Sequence, residues 1–130
     1  MRVRHLRDHE NWPDTLNMGF NGDCLDREWC WVAEENGVVI AGLLATPLHG
    51  LVFLLRLVTV AKAPTTATLA LFRIVLKETQ ERGCKGYVTL LDPATEDGQK
   101  LDSLVTRLNG IRLPSSLVMS CGDFSAVGVL

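Results

Sequence analysis

No C-x-x-C pair occurs in the chain. Its four cysteines, Cys24, Cys30, Cys84 and Cys121, stand far apart, and only three histidines, His5, His9 and His49, could join them. That spacing argues against a zinc site and for buried thiols in a reducing compartment. No block of one charge occurs either. Thirteen Lys and Arg against fifteen Asp and Glu leave a formal charge of −2, so no basic arm for DNA or RNA and no acidic tail is present. The opening MRVRHLRDHENW lacks the apolar run of a signal peptide, and the longest apolar stretch, Leu51 to Val60, is interrupted by Arg56 and too short to span a bilayer. Internal repeats and low-complexity tracts are missing too. Together these absences predict a soluble, cytoplasmic protein with neither a nucleic-acid nor a membrane partner.

What is there is apolar. A hydrophobic share of 47% in 130 residues fills the core of one domain, residues 1–130, and leaves room for an apolar interface between copies. Residues Arg2 to Leu6 read as a short strand. DHENWPDTLNMGF offers Asp8 or Asn11 as a helix cap before Trp12 and Leu16. WCWVA and VVIAGLLA then flank Asn36-Gly37, a pair suited to the positive φ angles of a two-residue hairpin. His49-Gly50 turns the chain into LVFLLRLVTV, apolar enough for a strand covered on both faces.

From Thr66 or Thr68 to Glu81, apolar residues recur at spacings of three and four, which predicts an amphipathic helix capped by Gly83. KGYVTLLD is the next strand, parallel to the preceding one because a helix joins them. A further helix is predicted from Asp97 to Leu108, stopped at Asn109-Gly110. Two weakly specified strands around Pro114-Ser115-Ser116 close the chain. The sheet is therefore mixed and flanked by helices, an α/β (α+β) arrangement.

This order resembles the GNAT family of acetyl-CoA-dependent N-acetyltransferases along nearly the whole chain. VAEENGVVIAGLLA resembles the family hairpin V-A-E-x-D-G-x-I-V-G, and LKETQERGCKGYVTLLD the A-x-x-x-G-x-x-x-(I/V)-x-L that follows its cofactor helix. LVTRLNGI resembles the family's L-Y-x-K-L-G-F. The resemblance implies a GNAT-like (acyl-CoA N-acyltransferase) fold and transfer of an acetyl group from acetyl-CoA to a small amine or a protein amine.

The resemblance further implies that backbone groups of Val58 and Val60 hold the cofactor, and that its pyrophosphate meets the helix start over Thr65, Thr66, Ala67, Thr68, Leu69 and Ala70. In the family pattern this turn is Arg or Gln, then Gly-x-Gly-x-Gly or Ala. Here Thr65 stands at the Arg position and Thr66 and Thr68 at the first two Gly positions. Ala70 matches the third, and Lys62 is the basic residue nearby. Arg56 occupies the strand where many members carry an acid, and an Arg is no base. Thr106 or Ser103 lies nearest the family's helical Tyr, while the lone Tyr87 opens a strand. No catalytic residue is thereby assigned. A second reading follows from the lost glycines and high apolar content: a GNAT-like domain without coenzyme A, serving as a binding or assembly module such as a homodimer.

Other polar residues have ordinary readings beside functional ones. His49 could be a base or a solvated turn residue, and Asp92 a ligand-edge acid or the opening of a turn. Trp29 and Trp31 pack a core or an interface more readily than they stack a ligand. Asp23, Asp26 and Glu28 form a solvated loop near where the family admits its amine. Arg56 must reach either an internal carboxylate or an anion supplied from outside.

Overall fold

A computed structural model describes residues 1–19, 26–89, 92–107 and 110. Among these, β1 (Arg2–His5), β2 (Cys30–Glu35), β3 (Val38–Leu48), β4 (Leu51–Thr59) and β5 (Gly86–Thr89) form one sheet in that order. The helices are α1 (Thr65–Glu81) and α2 (Glu96–Arg107), with a 3-10 turn at Arg27–Trp29. Neighbours are antiparallel as far as β4, and β4 pairs parallel with β5 because α1 carries the chain back along the sheet. This is the mixed sheet that the sequence predicts.

Two tight turns set the register. Asn36 and Gly37 have φ of 53° and 78°, and His49 and Gly50 have 53° and 80°, so both pairs adopt the left-handed conformations that two-residue hairpins need. His49 is thus a turn residue, exposed at the tip.

One face of the sheet is covered by α1, whose Ala67, Thr68, Leu71, Phe72, Val75 and Thr79 are buried. They meet Trp31, Ala33, Leu43, Val52 and Leu54, and Leu101 of α2 joins the same core. Thr65 begins α1, one residue before Thr66, the earlier of the two predicted starts, with Pro64 as its cap at φ −65° and ψ 145°. The far end closes as predicted at Gly83, where φ is 96°. The Gly83 N–H bonds to the Gln80 carbonyl and the Cys84 N–H to that of Thr79, both at 3.0 Å, the paired bonds of a Schellman cap.

Residues 6–18 cover the other face without forming the predicted helix. Pro13 biases Trp12 away from helical angles, His9 takes φ 61°, and the Leu16 N–H turns back only as far as the Pro13 carbonyl. Asn11 does not cap a helix: its Oδ1 accepts from the adjacent Trp12 N–H. Leu6, Trp12, Leu16 and Met18 still pack on Cys30, Val32 and Leu44. Gly42 permits the close approach, since a Cβ there would stand 3.1 Å from Trp12 and 3.2 Å from Leu16.

Thr95 opens α2 by accepting the Gly98 N–H on its hydroxyl at 3.0 Å. The observed helix starts one residue before the predicted Asp97. The predicted ends of the last two elements, Leu90-Leu91 and Leu108-Asn109, and the terminal strands lie outside the described residues.

Candidate active site

The parallel ladder runs from Leu51 opposite Gly86 to Leu54 opposite Thr89, while β4 itself continues to Thr59. Next to Leu54, the pairing of β4 with β3 carries a bulge. Leu44 faces Arg56 and Ala45 faces Leu54, which leaves Leu55 without an opposite residue. Leu55 packs into the core under residues 6–18, and Arg56 beside it donates through Nε to the Asn17 carbonyl at 2.6 Å. Two consecutive side chains of β4 are therefore turned to one face. On β5 the Thr89 hydroxyl oxygen is buried and has no hydrogen-bond partner among the described residues.

Beyond the bulge, the register decides which backbone groups of β4 point to β3. The Val60 N–H donates to the Ile40 carbonyl at 2.9 Å, and the Val60 carbonyl accepts from Ala63 at 3.1 Å. Both of its backbone groups are thereby engaged. Val58 has the same parity and lies opposite Gly42, so its groups also point to β3, whereas Leu57 directs its own away from it. The side chains of Val58 and Val60 pack at the margin of the core under residues 6–18.

The chain then turns through Lys62, a non-glycine residue at φ 66°. No side chain caps α1. The Ala67 N–H bonds to the Pro64 carbonyl at 2.9 Å, which leaves the N–H groups of Thr65 and Thr66 as the open ones of the first turn. Thr65 and Thr66 are exposed, Ala67 and Thr68 face the core, Leu69 is exposed and Ala70 is half-buried. Burial of Thr68 bears on the departure from the glycine pattern, because its side chain is turned away from the helix end.

The remaining polar candidates have structural partners. The Asp92 carboxylate accepts the Ala94 N–H at 2.9 Å and so builds the turn into α2. Asp26 caps the 3-10 turn through the Glu28 N–H, and Asp23 lies outside the described residues. Trp29 and Trp31 meet edge to face at 6.2 Å. Burial pushes the Cys30 thiol up to about 11, out of range for a reactive thiolate. Thr106 bonds back to the Asp102 carbonyl of its own helix.

No family model matches the chain, and no curated protein matches its sequence. Solved structures do match its shape. TTHA1254 from Thermus thermophilus superposes with a TM-score of 0.63 at 19% identity, covering 93% of this chain and 97% of that one. An aminoglycoside acetyltransferase from an uncultured soil metagenomic sample matches at 0.57 and 19% identity, over 72% of this chain and 65% of its own. The fold is that of the GNAT acetyltransferases. Aminoglycoside N-acetyltransferase AAC(6')-Iy, solved in complex with CoA, shares this GNAT fold at a TM-score of 0.51 and 15% identity, over 72% of this chain and 75% of its own.

An uncapped helix N-terminus attracts anions in general, and no side chain caps the first turn of α1. Its two open N–H groups are uncapped and solvent-facing, and the exposed Lys62 lies a few residues before them. The sequence does not show which of Leu57 and Val58 turns its backbone groups away from β3. A parity of alternation separates Leu57 from Val58, and only the observed pairing with β3 fixes it.

Proposed function

We propose that the chain transfers an acetyl group from acetyl-CoA to an amine nitrogen. The observation that carries this reading is the uncapped helix start: β4 leads through Lys62 into α1, where no side chain caps the N–H groups of Thr65 and Thr66. Fold likeness to a CoA-bound acetyltransferase supports the same assignment.

In this reading Thr65 and Thr66 hold the pyrophosphate through their backbone N–H groups, with Lys62 as the nearby cation. Thr68 and Ala70 set the helix behind them, Ala67 is fixed to Pro64, and Leu69 offers exposed apolar surface one turn on. Leu57 supplies the β4 backbone groups that face away from β3, while Val58 and Val60 shape the strand from the side of residues 6–18. Bound acetyl-CoA brings the activated thioester. The chain's own contribution is to place amine and acyl carbon in line, which alone lowers a bimolecular barrier by several kcal/mol, on the order of 7–11 in well-oriented cases. The test is release of the CoA thiol on mixing the chain with acetyl-CoA and a panel of amines that includes an aminoglycoside. Acetylated product identified by mass spectrometry supports the reading; a panel that yields no product and no thiol counts against it.

A further inference from the structure

We propose that a proton on His5 latches the turn Arg27–Trp29 to the C-terminal half of α1, and that the latch opens when the ring loses that proton. His5 ends β1 and lies opposite Trp31 of β2, their rings 5.0 Å apart. Its two ring nitrogens meet two different elements. Nε2 stands 2.9 Å from Oε2 of Glu78 on α1, and Nδ1 stands 3.1 Å from the Arg27 carbonyl oxygen of the turn.

Both partners are acceptors. A carbonyl oxygen has no proton to donate. Glu78 Oε2 already accepts the Trp31 indole N–H at 3.0 Å and has Arg82 Nη2 at 3.7 Å, so its neighbours offer protons to that oxygen and it has none to give. Two bonds to two acceptors need two ring protons, the imidazolium form. A neutral imidazole carries one and must release either the turn or α1, and either release breaks the path through His5. With 36% of its side chain exposed, the ring stays open to exchange of protons with solvent.

A second tie runs beside the first. Arg82 donates through Nη1 to the Glu28 carbonyl at 2.6 Å, and its guanidinium lies 4.7 Å from the ring centre of Trp29. Glu78 thus joins two cations, His5 and Arg82, whose other donors reach consecutive carbonyls of the turn. Only one of the two titrates near neutral pH, because a guanidinium stays charged there and an imidazole does not. The other charged residues around the ring have their own engagements. Arg4, which donates to the His5 carbonyl, pairs with Glu10 and Glu34. Arg27 donates to the carbonyls of Arg7 and Glu10, and Asp26 accepts the N–H of Glu28, the acid of the turn itself.

Nitrogen NMR of the isotope-labelled full chain counts the ring protons directly. At about pH 7, wild type should show both His5 ring nitrogens protonated, and as pH is raised from about 6 to about 8.5 the amide signals of Arg27, Glu28 and Trp29 should move together with the ring. In His5→Gln, which keeps one donor, those amide signals should hold still over the same range. Urea unfolding reads the energetic side. Contacts made only by the protonated ring stabilise the fold while the proton is present and cease to do so as pH rises. The folding equilibrium constant of wild type should therefore exceed that of His5→Gln roughly tenfold near pH 6, and by far less near pH 8.5. His9 and His49 are common to both proteins and cancel. A ring with one bare nitrogen at pH 7, turn amides that do not follow the ring, or a wild-type advantage independent of pH would overturn the proposal, and the first two need no variant to fold.

Discussion

Leu54 and Thr89 pair across the parallel β4–β5 ladder, and the residue that follows Leu54 is the bulge. The bulge turns Leu55 and Arg56 to one face and sets the alternation that leaves the backbone groups of Leu57 pointing away from β3. The facing of Leu55 and Arg56 and the direction of the Leu57 backbone groups thus share one local cause.

The helix start can be altered without harming the helix. Thr65 is the first residue of α1 and follows a proline already at ψ 145°, so Thr65→Pro suits the backbone and removes one open N–H group. Thermal melting should show stability unchanged or raised by up to about 1 kcal/mol. Affinity for CoA should fall by about tenfold, the loss expected for one hydrogen bond to a charged group.

Gly42 holds residues 6–18 against the sheet. A methyl group there would press on Trp12 at 3.1 Å, Leu16 at 3.2 Å and Met18 at 3.4 Å. Gly42→Ala should therefore cost about 1–3 kcal/mol in urea unfolding. An unchanged midpoint would mean that the segment yields freely.

Glu78 ties α1 to the first two strands. Its Oε2 accepts from His5 at 2.9 Å and from the indole of the fully buried Trp31 at 3.0 Å. Glu78→Ala leaves that indole N–H unsatisfied and should cost about 1–3 kcal/mol. Glu78→Gln, which keeps an oxygen acceptor, should cost less.

Acid should loosen the N-terminal strand through Glu10. Hydrogen bonds from Arg4, opposed by burial and helped by the Arg7 N–H, hold this carboxyl at about 2 against an ordinary 4.5. A carboxyl whose pKa is lowered on folding stabilises the fold above its unfolded value, and that contribution is lost as pH falls through the folded one. Between pH 4.5 and 2, wild type should lose about 1–2 kcal/mol more than Glu10→Gln, after allowance for solvent screening.

The sequence is most legible where local chemistry decides conformation. Asn36-Gly37 and His49-Gly50 demand left-handed backbone, and the spacing of Leu71, Phe72 and Val75 on α1 names its buried face. From these the hairpins, the crossover and the parallel pairing follow. Residues 8–18 were harder, because caps and apolar spacing both suggest a helix there. Pro13 and the contacts at Gly42 decide otherwise, and the latter are tertiary.

Site residues divide in the same way. The turn before α1 is visible in the sequence because strand, Pro64 and helix follow one another. Which β4 residues face outward is not, since one inserted residue at Leu55 reverses the pattern. Arg56 is recognisable in the sequence as a charge that needs a partner, but only the fold shows its Nε meeting the Asn17 carbonyl.

Calorimetric titration of CoA into the wild-type chain and Thr65→Pro tests the central claim most directly. The account predicts saturable binding to wild type with a Kd below about 1 mM, weakened roughly tenfold in the variant. No binding at millimolar CoA, or equal affinity in the two proteins, would contradict it.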